Sequence, residues 1–436
     1  MGNGIFYGWW IVLATSLIHF WGAGTFFYSF TAFFNPLVQE FGWSYAATSL
    51  AASIRSLEGG IASPLVGLAT DRFGARRLLL LGSVLTGAGF VLFSQIRSLW
   101  GFYLVFVFLS VSSSLLFPVP GWTAVAGWFL RKRGTAIGIL SAAIGLGGAL
   151  IYAVNALISA WGWRTTLVAI GIGMWVIGIP CSLIVRHRPE PYGLAPDGEK
   201  RTTLAPGSAD RSAVNATEPD EGFSLRKAVK TKSFWGIALA VTVSAATVHA
   251  VTVHVMPYLI SVEFSREKAS LAASFLVFVS IAGRFGLGWF SSQVDSRYLL
   301  ALGIGLQALG LLFLAWARNL GWVAAFIICF GPGYGGVITL RLTLQAEYFG
   351  RRAFGAIQGT FMAIMIIGTM SFPLLTGICY DLYGDYRPAW FMMAAANLAI
   401  VPLALKIKPP QSEALPPKLG ASLSQRGSAP FKLHDK

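Results

Sequence analysis

The chain has 436 residues, of which 55% are hydrophobic and only 12% are charged, and this composition excludes an ordinary soluble domain. Its formal net charge of +15 would suit a nucleic-acid partner, but Lys and Arg collect in the tails and in alternate loops, so no such partner is expected. That asymmetry is the positive-inside pattern, which predicts a multi-pass plasma-membrane protein with both termini in the cytoplasm.

About twelve apolar runs are long enough to cross a bilayer, and we number them spans 1 to 12. In the first half they lie at 8–34, 45–70, 77–95, 100–128, 135–159 and 164–186. In the second half they lie at 233–260, 268–292, 298–317, 320–347, 354–379 and 388–406. Span 1 is too long for the apolar part of a cleavable signal peptide, and no basic segment precedes it. The sequence therefore predicts an all-α membrane protein.

An internal repeat begins in span 2. The residues Ser-Leu-Ala-Ala-Ser at 49–53 occur again at 270–274, which is 221 positions later, and each copy leads to a glycine at the same distance, Gly67 and Gly288. A repeat of half the chain length in membrane-type sequence indicates a transporter built from two related bundles.

Span 2 also carries two charged residues inside its apolar run. Arg55 and Glu58 are three positions apart and can reach each other along one helix face. They either form a neutralised structural pair or leave Glu58 as a carrier of protons, because it is a carboxylate well inside an apolar run.

The loop after span 2 is the most specific motif of the chain. It reads GLATDRFGARR from Gly67 to Arg77 and closely resembles the signature loop of the major facilitator superfamily, except for Ala75, where a basic residue is usual. The resemblance covers nearly the whole chain. It implies twelve transmembrane helices in two pseudo-symmetric six-helix bundles that work by alternating access.

A carboxylate at a helix end can meet a facing helix N-terminus or a cation, and such a contact can hold one conformation and break in the other. The alternative is a solvated loop charge. The second half has Ser292 and Gln293 in place of the Asp-Arg pair, so the contact is expected on one side only. The residues predicted to form this conformational latch are Gly67, Asp71, Arg72, Gly74 and Arg76.

The predicted organisation has four parts. The first bundle covers 1–186, a cytoplasmic linker covers 187–232, the second bundle covers 233–408 and a cytoplasmic tail covers 409–436. The linker is rich in Pro, Gly, Ser, Asp and Glu, which is typical of flexible segments. Its last part, from Phe223, places apolar residues on one helical face and predicts a short amphipathic helix on the membrane surface, with a plain linker as the alternative.

Several short motifs resemble the monocarboxylate transporter and oxalate:formate antiporter branch of the superfamily. They are Tyr7-Gly8-Trp9-Trp10, Phe41-Gly42-Trp43-Ser44, Trp128-Phe129 and the Ser-Phe-Trp that opens span 7. The resemblance implies that Arg284 in span 8 binds a carboxylate. The chain departs from the branch at Ser280, where an Asp is frequent, at Tyr28, where a lysine is used, and in span 11, which has no lysine. The missing lysine makes a dicarboxylate substrate less expected.

The residues of span 8 support the same role for Arg284. No acidic residue lies within seven positions of it, and it is too deep in its span to reach the outer interface. A guanidinium in a cavity offers a carboxylate two parallel hydrogen bonds, although pairing with another helix is the alternative.

Spans 7 and 10 supply further candidates. The glycine-rich run 331–336 is expected to loosen span 10 and expose Tyr334, whereas Arg341 is expected to snorkel to the cytoplasmic surface. His254 is either a titratable cavity residue or a satisfied core histidine. The predicted substrate-binding residues are thus Arg284, Tyr28, Tyr334, His254 and Ser280, and the proton-coupling candidates are Glu58 and His254.

The sequence favours a secondary transporter of a small organic anion, monocarboxylate-like and coupled to protons, working as a monomer in the lipid bilayer. An exporter of neutral or cationic compounds and an oxalate/formate-type exchanger are the alternatives. No metal-binding, nucleotide-binding or hydrolase motif occurs, so we expect neither an enzyme nor a cofactor. The cysteines Cys181, Cys329 and Cys379 have no ligand spacing.

Overall fold

The computed structural model describes residues 6–43, 45–198 and 222–410, and these residues are almost wholly helical. Half of the predicted linker, residues 199–221, and nearly all of the predicted tail lie outside the described residues. The first half contains the helices Tyr7–Gly22, Phe34–Phe41, Tyr45–Phe73, Ala75–Phe93, Leu99–Ser114, Val119–Trp128, Arg133–Leu146 and Leu150–Ile184. The second half contains Leu225–Ala228, Lys232–Ser261, Arg266–Phe290, Ser296–Ala315, Leu320–Phe349, Phe354–Tyr383 and Arg387–Lys406.

Ten helical stretches of the described chain are long and apolar enough to cross a membrane. One of them, Arg133–Ile184, is 52 residues long and breaks at Gly162, where φ is 77°, so it supplies spans 5 and 6. The helix Tyr45–Phe73 supplies span 2, which is less apolar because it carries Arg55 and Glu58. These two observations complete the twelve spans, and the all-α, two-bundle membrane fold predicted from the sequence is confirmed.

Large apolar side chains cover the outside of the helices. Trp100 and Leu104 on span 4 and Ile367 on span 11 are each about two-thirds exposed or more. An apolar exterior of this kind suits hydrocarbon, in which each helix satisfies its own backbone hydrogen bonds. The chain is therefore a multi-pass membrane protein.

The two bundles meet through glycines that the repeat relates. A Cβ atom on Gly67 would overlap the carbonyl oxygen of Gly355, and a Cβ atom on Gly288 would lie 2.6 Å from the carbonyl oxygen of Gly134. Gly67 and Gly288 are repeat mates, and Gly134 and Gly355 are separated by the same 221 positions. Span 2 therefore packs on span 11 as span 8 packs on span 5, which is what related bundles require.

One end of the helices, which we call the terminal face, carries Tyr7, Asp71 and Lys406. Here the Tyr7 hydroxyl donates to the carbonyl of Ile184 at 2.8 Å. The short helix Leu225–Ala228 also lies on this face, where Ala228 is buried and Phe223 N donates to Phe349 O.

The opposite end, the far face, joins spans 1 and 6. Glu40 forms an ion pair with Arg164 and accepts a hydrogen bond from the Trp163 indole at 2.7 Å. The hydrogen bonds from Arg164 and from Trp163 hold the pKa of the Glu40 carboxyl below its usual range. This anchor fixes the end of span 1 beyond its irregular segment, where Ala23–Tyr28 forms a π-helix and Ser29–Phe33 a 3-10 helix.

Candidate functional site

Arg284 lies buried between the bundles, with only 3% of its surface exposed. Its Nη1 donates to the carbonyl oxygen of Ser141 at 2.7 Å, across the contact of spans 8 and 5. Its guanidinium carbon lies 5.6 Å from the ring centre of Tyr334, and its buried Nε has no hydrogen-bond partner in the described chain. The cation is thus held by a neutral carbonyl and an aromatic ring.

Tyr28 completes this group from span 1, because its phenol interacts with both Arg284 and Tyr334. Small residues of span 5 make the approach possible. A Cβ atom on Gly145 would lie 3.1 Å from Nη1 of Arg284, and one on Gly148 would lie 3.8 Å from the ring of Tyr28. The irregular helix around residues 23–33 directs Tyr28 to this place. We call Tyr28, Arg284 and Tyr334 the arginine site.

The glycine-rich run of span 10 does not loosen the helix as expected, because Leu320–Phe349 is continuous. Its glycines instead let span 8 approach, and a Cβ atom on Gly335 would overlap the backbone carbonyl of Ser280. The Ser280 hydroxyl donates within its own helix to Val277 O at 2.6 Å. Ser280 therefore lies in a helix contact, one turn from Arg284.

His254 contacts spans 11 and 12. Its Nε2 lies 2.9 Å from the carbonyl oxygen of Pro373, and its ring centre lies 5.5 Å from that of Tyr386. These contacts engage the imidazole through one ring nitrogen and one face.

Spans 1, 2, 4, 7 and 11 enclose a cavity of about 340 Å³. Its titratable lining side chains in the described chain are Arg55, Glu58 and His249. Sequence reasoning gave His249 no role, because it lies on a different face of span 7 from His254. Only the packing of span 7 against spans 2 and 11 shows that this face lines a cavity.

Arg55 and Glu58 do not pair, and their interpretation as a structural ion pair was wrong. Arg55 Nη1 donates to the carbonyl oxygen of Phe26 at 3.1 Å, and its guanidinium carbon lies 4.7 Å from the ring centre of Phe27. Both carboxylate oxygens of Glu58 accept from the Ser114 hydroxyl, at 3.1 and 3.2 Å. Rings of span 1 and a hydroxyl of span 4 thus separate the two charges.

Arg341 does not snorkel to a membrane surface, so that expectation was also wrong. It is 4% exposed, its guanidinium carbon lies 5.4 Å from the ring centre of Trp122, and Nη1 lies 2.8 Å from Sδ of Met365. Spans 4 and 11 therefore cover it. Its position within span 10 did not reveal the helices that cover it.

The signature loop contacts the second bundle through Asp71. Oδ1 of Asp71 accepts from the backbone N–H of Gly355 at 3.0 Å, and Oδ2 accepts from Ala356 at 2.8 Å. Both amides belong to the first turn of Phe354–Tyr383, so the carboxylate sits at the positive end of span 11. At the repeat-related position, Ser292 donates to its own helix at Trp289 O.

The other residues of the motif shape the loop around this contact. Gly74 adopts φ of 84° and reverses the chain between spans 2 and 3. Arg72 and Arg76 are exposed, and the guanidinium carbon of Arg72 lies 5.5 Å from the ring centre of Phe73.

Sequence reasoning missed a second connection on the terminal face. Glu190 forms an ion pair with Arg351 at 2.9 Å, and Arg351 also donates to Gly127 O at 2.8 Å, which joins the two bundles. Nearby, Asp197 accepts from the backbone amides of Leu130 and Arg131 at 2.8 and 2.7 Å. The first part of the predicted linker is therefore ordered by contacts to both bundles.

Comparison with known proteins gives a consistent family. The family model for the Major Facilitator Superfamily matches residues 12–359 and 264–433. Monocarboxylate transporter 12 of Xenopus laevis is 24% identical over 83% of this chain and 80% of its own. Monocarboxylate transporter 4 of Rattus norvegicus is 24% identical over 86% of this chain and 77% of its own. The MFS-type transporter YcxA of Bacillus subtilis is 24% identical over 92% of this chain and 94% of its own.

Solved structures share the fold. The proton:xylose symporter XylE superposes with a TM-score of 0.71 at 15% identity, covering 92% of this chain and 96% of its own. The human organic anion transporter MFSD10 gives a TM-score of 0.69 at 13% identity, covering 91% of this chain and 99% of its own.

Proposed function

The chain belongs to the Major Facilitator Superfamily, and on that premise we propose that it moves a small organic monoanion, of the monocarboxylate class, together with a proton. It is a membrane transporter and not an enzyme, because the members of its family and the solved structures that share its fold are transporters. The relatives named monocarboxylate transporters support the substrate class, and so does the chemistry of the arginine site.

The observation that carries the proposal is the buried Arg284 without an acidic partner in the described chain. A cation out of water costs several kcal/mol unless an opposite charge compensates it. The partners of Arg284, the carbonyl oxygen of Ser141 and the phenol of Tyr28, are neutral, and its Nε is an orphan, so it retains a donor for a ligand. A carboxylate supplies both the charge and two acceptors in the plane of the guanidinium.

The surrounding charges favour an anion as well. Arg341 is also buried among neutral groups, and the half-buried Arg55 has neutral partners as well. Glu58 is the carboxylate of the described spans that faces the cavity. This excess of positive charge attracts anions into the cavity and opposes cations. It therefore favours the anion transporter over an exporter of cationic compounds.

We also propose that the terminal face is cytoplasmic and that this structure is the state closed on that face. The contacts of Asp71 with Gly355 and of Arg351 with Gly127 join the bundles there. Alternating access requires these contacts to break when the terminal face opens.

The test is uptake into proteoliposomes of radiolabelled lactate, pyruvate, acetate, formate and oxalate at two pH gradients. We expect uptake of a monocarboxylate that an inward proton gradient increases and that Arg284→Gln abolishes. Arg318→Gln, which neutralises an exposed arginine after span 9, is the matched control. Fast oxalate exchange, indifferent to pH, would instead identify the exchanger, and transport of cations would overturn the proposal.

A further inference from the structure

The cavity lined by Arg55, Glu58 and His249 is shared by the two bundles. Glu58 belongs to span 2 of the first bundle, and His249 belongs to span 7 of the second. Two further groups stand behind its walls. His19 lies behind Phe117, with ring centres 6.1 Å apart, and Arg341 lies behind Met365.

The contacts leave the acid and the imidazole able to exchange protons. Glu58 accepts hydrogen bonds from one neutral hydroxyl, and no cation of the described chain pairs with it. His249 is exposed and makes no hydrogen bond within the described chain. The cavity has room for several water molecules, which can connect the two groups.

We propose that Glu58 and His249 form the site that carries the proton, and that Arg55 links the occupancy of this site to the anion. The inference rests on the proton-coupled transport proposed above. It assigns a role to His249 and places the proton between the bundles whose relative movement opens one face or the other.

The charges of the three residues explain the coupling. With Glu58 ionised and His249 neutral, Glu58 offsets the charge of Arg55, and the cavity lining is neutral overall. One proton, bound as the carboxylic acid of Glu58 or as the imidazolium of His249, makes the lining positive and attracts an anion. Because linkage is reciprocal, we expect one proton to raise anion affinity about 5- to 150-fold, and the anion to promote proton binding equally.

The proton is conserved in each cycle. It passes from hydronium in bulk water to the carboxylate oxygen or the imidazole nitrogen, and it returns to water when the other face opens. Only O–H and N–H bonds form and break, so no further reactant is needed.

Two variants test the site in proteoliposomes, with labelled lactate, or the panel monocarboxylate that wild type accumulates best, as the probe. Glu58→Gln keeps the shape of the carboxylic acid without its proton, and His249→Gln removes the imidazole. A pH gradient increases net uptake by wild type, and we expect each variant to reduce this increase about tenfold or more. We expect each to retain exchange of internal for external anion at equal pH, since exchange needs no proton cycle.

Two other variants separate this assignment from general damage. Glu263→Gln neutralises an exposed carboxylate after span 7 and should keep the response to pH. His254→Gln removes the competing histidine five positions further along span 7. If His254→Gln loses the response and His249→Gln keeps it, the assignment is wrong.

Other outcomes also overturn the inference. A response to pH that persists in Glu58→Gln or in His249→Gln removes that residue from the site. Loss of both exchange and net uptake in purified, monodisperse protein would make the residue part of anion binding. If wild type shows exchange that depends on Arg284 but no response to pH, proton coupling itself fails. That result differs from a failure of Glu58 or His249 alone, in which wild type still responds to pH.

Discussion

At the scale of single residues, the role of an arginine inside a span can be inferred only when its neighbours from other helices are known. The sequence predicts that Arg284 binds an anion because no acid lies near it in span 8. The structure places it beside Tyr28 and Tyr334, and its role stays a prediction. The snorkelling expected of Arg341 and the ion pair considered for Arg55 were wrong, because the spacing within one helix does not tell which other helices cover a side chain. Their neutral partners come from spans 4, 11 and 1.

The geometry of Arg284 predicts that lysine cannot replace it. Arg284→Lys keeps the charge but loses the planar pair of donors, so it cannot give a carboxylate two parallel hydrogen bonds. Losing hydrogen bonds to a charged group costs about 1.5–3 kcal/mol, so anion affinity should fall roughly ten- to a hundredfold. Titration calorimetry on purified protein measures affinity apart from turnover. Binding as tight as wild type would place the anion elsewhere.

The Glu40 anchor predicts a dependence of stability on pH. Arg164 and Trp163 lower the pKa of Glu40, so its contribution is present above the unfolded-state pKa and is lost as pH falls through the lower folded-state value. Because the pair is exposed, it contributes at most about 1 kcal/mol. The thermal midpoint of Glu40→Gln should lie slightly below that of wild type at pH 7, and the two should converge in acid. A gap that widens in acid would contradict this account.

At the scale of elements, spans 2 and 11 and spans 5 and 8 form two repeat-related contacts that differ in chemistry. Asp71 adds two charge-assisted hydrogen bonds to the first contact, whereas Ser292 binds its own helix at the second. The sequence predicted this asymmetry from Ser292 and Gln293, which replace the Asp-Arg pair. It did not predict the partner, since the start of span 11 meets Asp71 only when the bundles assemble.

Replacing Asp71 with Asn should slow transport strongly and leave substrate affinity within a few-fold of wild type. Asparagine has a single carbonyl oxygen and no charge for the two amides of span 11, so the closed terminal face loses stability. The carboxylate lies at the helix ends and belongs to neither the arginine site nor the cavity lining. The rate is measured by uptake and the affinity by calorimetry. A large loss of affinity with unchanged turnover would refute the latch.

The glycine contact of spans 5 and 8 offers a matched pair of variants. A Cβ atom on Gly288 would lie 2.6 Å from Gly134 O, whereas one on Gly286 would meet nothing within 4 Å. Gly288→Ala should therefore push the bundles apart at the terminal face and reduce transport, and Gly286→Ala should transport as wild type does. Equal activity of the two variants would show that the helix contact accommodates the added methyl group without loss of transport.

At the scale of the whole molecule, hydropathy and the repeat were enough for the fold, because lipid permits helices and demands that each be apolar. The order of residues 187–198 could not be predicted. Its composition is that of a flexible linker. On the terminal face, however, Glu190 pairs with a cation and Asp197 accepts from two backbone amides, and these partners belong to distant parts of the chain. Composition describes the segment alone, whereas the order arises from its surroundings.

The asymmetry of Lys and Arg predicts the orientation of the molecule, and cysteine labelling tests it. In a variant whose three cysteines are replaced, Arg77→Cys places an exposed thiol on the terminal face, and Arg318→Cys places one after span 9 on the far face. With the terminal face in the cytoplasm, an impermeant maleimide applied to intact cells should label residue 318 and spare residue 77. Inside-out vesicles should reverse the pattern, which shows that both thiols react. Labelling of residue 77 from outside would invert the topology, and the closed face of this structure would then be the outer one.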